Sequence, residues 1–285
     1  MAATLVALAL ATSSPTTPSG AGSLPSGTQA LAAVQRAAAA TRSSSAAVVT
    51  TLWNTSLFGT SSPVRASTSF DFSARRGTVF VGTGSGQLQE RAVYGPNAVF
   101  TRPGEGTSLP AGKTWIMTSF SNQGELARDF PEFIGQIESL NPGLAITALA
   151  LGATSASPAS SDVLDGVSVT RIDVAVDLRR ALSRATAAPD VPFALALQSW
   201  VAESTSPAGA HAPAKLAVRV WLSKSGLLLG TDFTAPESEI GPVSLRLSGY
   251  GTGAHTVAPP PGAVIDLGTF APGGEREDHN DGDGS

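Results

Sequence analysis

Between Thr170 and Leu178 the even positions Ile172, Val174, Val176 and Leu178 are apolar, and Arg171, Asp173 and Asp177 fall between them. A period of two marks a strand with one buried and one wet face. The pattern returns at Leu216, Val218, Val220 and Leu222 against Lys215, Ala217 and Arg219, and at Val243, Leu245 and Leu247 against Ser244, Arg246 and Ser248. Earlier segments at 48–53, 64–72, 77–81, 87–94, 98–102 and 113–120 carry β-branched or aromatic residues divided by Gly, Pro and Asn. They predict an antiparallel meander. A stiff run, Ala258-Pro259-Pro260-Pro261-Gly262, precedes a last short strand from Val264 to Leu267.

A sheet with one apolar face needs a cover. Four helices are expected to provide it. The first spans 29–42, where Leu31, Val34 and Ala38 fall on one side of an Ala-rich run. In the second, at 129–141, Asp129 caps the start, Pro131 occupies the first turn, and Phe130, Phe133, Ile134, Ile137 and Leu140 form the stripe. Asn141-Pro142-Gly143 reads as its stop. The others span 178–187 and 191–203, the last apolar almost all round through Phe193, Leu195, Leu197, Trp200 and Val201. The fold class is therefore α+β: a strongly curved antiparallel sheet with helices packed on one face.

Composition divides the chain into three parts. Residues 1–28 hold a short apolar run (AATLVALALA) of signal-peptide length and a Ser/Thr/Pro/Gly-rich tether. Residues 29–270 form a single domain, and 271–285 an acidic, Gly-rich tail expected to be disordered. Export to the cell envelope or beyond is expected. Charged residues make up 14 % of the chain and the net charge is -4, so no basic field is present to bind nucleic acid. Cysteine is absent, which removes disulfides, thiolate metal sites and cysteine nucleophiles.

Catalytic chemistry finds little support. The three histidines lie in loop-like or tail sequence: His211 in a Pro/Ala segment, His255 in a Gly-rich turn, His279 near the end. Ser85 in Gly82-Thr83-Gly84-Ser85-Gly86 is out of phase with a nucleophile elbow. The spaced glycines at 82–86 and 249–253 are one residue short of a dinucleotide fingerprint, and hairpin turns explain them better. Asp278 to Asp283 is too close to the end of the chain for a calcium loop. Asp162/Asp165 and Asp173/Asp177 read as surface charge rather than acid/base pairs. No enzyme activity, cofactor or metal is expected.

Several short motifs occur in a telling order: Gly86-Gln87-Leu88-Gln89-Glu90, Lys113-Thr114-Trp115, Pro131 to Pro142, Asp165-Gly166-Val167 leading into Asp173 to Leu178, and Val220-Trp221-Leu222 before Gly226-Leu227. In that order and spacing the chain, from about Ala30 to Leu267, resembles the LppX/LprG-type lipoproteins of actinobacteria. The resemblance implies a LolA-like half-barrel with helices over its concave side and a cavity for acyl chains. It also implies a lipid or lipoglycan ligand and a place at the membrane or envelope periphery; the chain is expected to be a monomer. A lipobox cysteine would follow a Leu-Ala-small sequence, and here Leu10-Ala11-Thr12 is followed by Ser13. The candidate lining residues are Phe70, Phe72, Phe80, Trp115, Met117, Phe133, Ile137, Leu140 and Leu149. Two other readings remain beside the carrier: an envelope adaptor of the same fold that binds a protein partner, and an enzyme.

Overall fold

Strand pairing dominates the molecule. A computed structural model describes residues 24–52, 63–83, 89–103, 108–119, 141–185, 197, 215–234, 243–254 and 256–269. Among them the chain order is α1 Gly27–Arg42, β1 Ser45–Leu52, β2 Val64–Asp71, β3 Arg76–Thr83, β4 Gln89–Tyr94, β5 Ala98–Thr101 and β6 Trp115–Ser119. Next come α2 Pro142–Gly152, β7 Ala153–Ala156, β8 Ser160–Leu164, β9 Val167–Asp177, α3 Leu178–Arg184, β10 Lys215–Leu222, β11 Leu228–Thr234, β12 Val243–Ser248 and β13 Val264–Asp266.

All thirteen strands belong to one open, curved sheet in the order β13-β6-β5-β4-β3-β2-β1-β12-β11-β10-β9-β7, with β8 also paired to β9. Every pairing is antiparallel except that of β13 with β6. Two meanders, β1 to β6 and β9 to β12, thus meet at the β1–β12 seam, where Val48 opposes Leu247 and Thr50 opposes Leu245. The α+β class and the helix-covered antiparallel sheet read from the sequence are what the chain adopts.

Alternation assigns the faces as expected. Ile172, Val174 and Val176 are buried and Asp173 is exposed; Leu216, Val218 and Val220 continue the same inner face across β10. Asp165 and Gly166, with φ of 50° and 81°, form the two-residue turn between β8 and β9. Both residues take the left-handed conformation that this tight hairpin demands.

Three described helices lie over β1, β7 and β9 to β11. In α1 the Ser26 N–H donates to Gln29 Oε1 at 3.1 Å, and Ala30, Val34, Ala37, Ala38 and Thr41 form the buried face. Asp177 caps α3 by accepting from the Arg180 N–H at 3.0 Å. The expected helices at 129–141 and 191–203 fall outside the described residues, apart from Asn141, which is not helical, and Leu197, which is helical and buried.

Asn141-Pro142-Gly143, read from the sequence only as a stop, begins a helix that the sequence reading did not expect. Asn141 Oδ1 accepts from the Gly143 N–H at 3.0 Å and Pro142 takes the first helical position, so the triplet starts α2. Asparagine at a cap followed by proline is a start signal as much as a stop. The helix it starts, PGLAITALALG, is buried on nearly every side between α1, α3 and the sheet. A helix with no polar face shows no period in the sequence.

Candidate functional site

The inner face of β2 to β5 is built from Val64, Ala66, Thr68 and Phe70 on β2, Val79 on β3, Ala92 and Tyr94 on β4, and Val99 and Thr101 on β5. All are buried, and the strand registers carry them as one continuous surface. Phe70 and Phe72 stand 5.1 Å apart between ring centroids, and Phe70 meets Tyr94 nearly edge-on at 6.0 Å. Gly77 lies between Phe70 and Tyr94 in the register. A Cβ built on Gly77 would sit 2.4 Å from Phe70 Cδ2, so the ring occupies the space a side chain would take.

The candidate lining residues therefore separate. Phe70 and Phe72 come together, joined by Tyr94, which the sequence reading left out. Leu149 is fully buried in α2, within the helix layer against α1, α3 and β9. Phe133, Ile137 and Leu140 lie outside the described residues.

Phe80, Trp115 and Met117 correct the expectation. Phe70 is carried by the register through Gly77, Tyr94 and Val99 to Thr118, so Trp115 and Met117 point to the opposite, outer face. Phe80, one residue from inward Val79, is 40 % exposed on that outer face. The run Trp115-Ile116-Met117 is apolar at odd and even positions alike, and Phe80 lies in Val79-Phe80-Val81. Period-two reasoning has no purchase on such runs.

On the outer face each described tryptophan lies under an arginine. Arg102 sits 4.7 Å above the Trp115 ring and Arg246 4.8 Å above that of Trp221. Gly230, between Trp221 and Arg246 in the register, makes the second contact possible. A Cβ there would lie 3.2 Å from Arg246 Cδ and 3.0 Å from the Leu245 carbonyl oxygen. Arg246 donates to Asp232 at 2.8 Å, Arg219 to Asp173 at 3.1 Å, and the Trp221 indole to Asp162 Oδ2 at 3.0 Å, with Arg171 3.8 Å from the same oxygen. Solvent-exposed ion pairs of this kind contribute little, and the stacking of Arg246 on Trp221 adds a cation–π contact to them.

Among the described residues three groups titrate away from their ordinary values. The Trp221 indole, then the Val163 N–H, hold the Asp162 carboxyl low, and Arg171 and Arg219 add to this against slight desolvation. Burial pushes the Asp71 carboxyl up, but hydrogen bonds from the Ser73 hydroxyl and the Ala74 and Ser73 N–H groups, with the Arg76 charge, outweigh it and leave it lowered. Burial raises the Tyr250 phenol against a hydrogen bond with Thr41. The Tyr250 hydroxyl donates to the Leu228 carbonyl and lies 3.2 Å from Thr41 Oγ1, which ties the end of α1 to the start of β11. All three serve structural contacts.

Among the described residues no group of three His, Cys, Asp or Glu could hold a metal ion, and no helix is long and apolar enough to cross a membrane. His211, His255 and His279 lie outside the described residues.

No family profile and no curated protein matches the chain by sequence. In structure it is similar to LprF from Mycobacterium bovis, with 14 % identity and a TM-score of 0.43 over 84 % of this chain and 99 % of that one. It is also similar to the Mycobacterium tuberculosis lipoprotein LppX, with 16 % identity and a TM-score of 0.46 over 80 % and 98 %. A LolA superfamily protein from Nitrosomonas europaea is similar at 10 % identity and a TM-score of 0.27 over 80 % and 94 %. At such identities and scores the architecture rests on the chain's own strand order and register.

Proposed function

We propose that this chain is an exported, envelope-associated carrier that holds the acyl chains of a lipid or lipoglycan against the inner face of its sheet. The observation that carries the reading is the inner wall of β2 to β5, where Ala66, Phe70, Val79, Ala92, Tyr94 and Val99 form one apolar surface. The described helices pack over the other part of the sheet. Such a wall suits an alkyl ligand, since each CH₂ leaving water gains about 0.8 kcal/mol and few polar contacts are needed. The order of motifs that resembles the LppX/LprG-type lipoproteins points the same way. The carrier works as a monomer at the membrane periphery, without a cofactor and without catalysis.

The test is native mass spectrometry of the full chain purified from its own host, followed by titration of the delipidated protein with a fluorescent fatty acid. Added mass in the range of a lipid, displaced by the probe, is expected. Bare protein that binds no probe would overturn the carrier.

One observation favours an adaptor instead: at the tip of the β8–β9 hairpin Val163 and Val167 are exposed, one on each side of the ribbon. An adaptor binds a protein through such a tip and carries no lipid. Replacing both residues with serine would then abolish partner capture, whereas a carrier keeps its lipid uptake unchanged.

A further inference from the structure

Thr68, Thr118 and Thr231 have hydroxyls with no hydrogen-bond partner, and their residues are 6 %, 0 % and 0 % exposed. The registers place all three on the inner face: Thr68 opposite Val48 and Val79, Thr118 opposite Val99, and Thr231 opposite Val220 and Leu245. A buried hydroxyl without a partner is costly, and valine would fill the same space without that cost. Thr68 Oγ1 stands beside Gly77, 3.1 Å from where a Cβ would be, next to the Phe70 ring. Thr68 on β2 and Thr118 on β6 lie away from the strands over which the described helices pack, and it is these two hydroxyls that call for an explanation beyond packing.

Resting on the carrier reading, we propose that the β2–β6 part of the inner wall receives acyl chains bearing oxygen functions part-way along, chain hydroxyls or esters, and that Thr68 and Thr118, four strands apart, each hydrogen-bond one of them. A threonine hydroxyl both donates and accepts, so it serves either oxygen. Thr231 differs in place, because β11 lies in the part of the sheet over which α1 packs. It acts as the internal control.

Delipidated full-length protein is titrated with stearate and with a chain-hydroxylated stearate, as wild type and as Thr68→Val, Thr118→Val and Thr231→Val, with a thermal melt of each. The wild type is expected to prefer the hydroxylated chain by about three- to tenfold, the size of one net hydrogen bond. One of the variants Thr68→Val and Thr118→Val, the one at the position the single hydroxyl reaches, removes that preference and leaves stearate binding unchanged, while Thr231→Val alters neither. If stearate and its hydroxylated form bind equally and no variant changes this, the inference fails and the carrier stands. The same holds if Thr231→Val removes the preference as fully as Thr68→Val. If neither chain binds the wild type, both fall.

Discussion

Gly77 and Trp221 show how one residue sets its surroundings. Gly77→Ala forces the new methyl against Phe70, which already touches Phe72 and Tyr94, so the ring must leave its place. A loss of about 1–3 kcal/mol is expected, read by urea unfolding. At Trp221 the indole is the first cause of the low Asp162 carboxyl pKa. Trp221→Phe should raise that pKa toward the ordinary carboxylate value without reaching it, because the Val163 N–H hydrogen bond and the Arg171 and Arg219 charges remain. A carboxyl-detected NMR titration checks this. Linkage gives the sign: a lowered carboxyl contributes stability above its unfolded pKa and loses it as pH falls through the folded value, so acid weakens the wild-type contact and the variant has less to lose.

At the scale of elements, α2 depends on its first turn. Asn141 is buried and its side chain holds the Gly143 N–H. Asn141→Ala should cost about 0.5–2 kcal/mol, measured by thermal melting, and Asn141→Asp should retain most of the cap. Three strands were illegible for a related reason. β11, Leu228-Leu229-Gly230-Thr231-Asp232-Phe233-Thr234, has its alternation broken by an irregular register where Trp221 opposes Gly230 and Leu222 opposes Leu228. β7 and β8 are short and mostly small or polar, so neither carries a hydrophobic period.

For the whole molecule, one register decides what is inside. Val174→Asp puts a charge in the core, and unfolding or a loss above about 4 kcal/mol is expected. Asp173→Ala, one residue away, breaks only the exposed contact with Arg219 and should cost under about 1 kcal/mol. Circular dichroism of the two variants side by side checks the assignment. A small effect at 174 with a large one at 173 would reverse the faces of the sheet.

The strict alternations of β9, β10 and β12 determined by themselves which side chains face inward, because a period of two is local and survives without knowledge of any neighbour. The Ala-rich α1, the antiparallel sheet with helices on one face and the inward aromatic pair Phe70 and Phe72 were legible on the same ground. Tertiary structure alone decided the rest. Trp115, Met117 and Phe80 sit in runs apolar on both parities, so their side of the sheet depends on pairing with distant strands. Asn141-Pro142-Gly143 suits either end of a helix, and the apolar segment 144–152, stable only when surrounded, made it a beginning. The two arginines lying over tryptophans depend on side chains that meet across strands, and no spacing along the chain records that meeting.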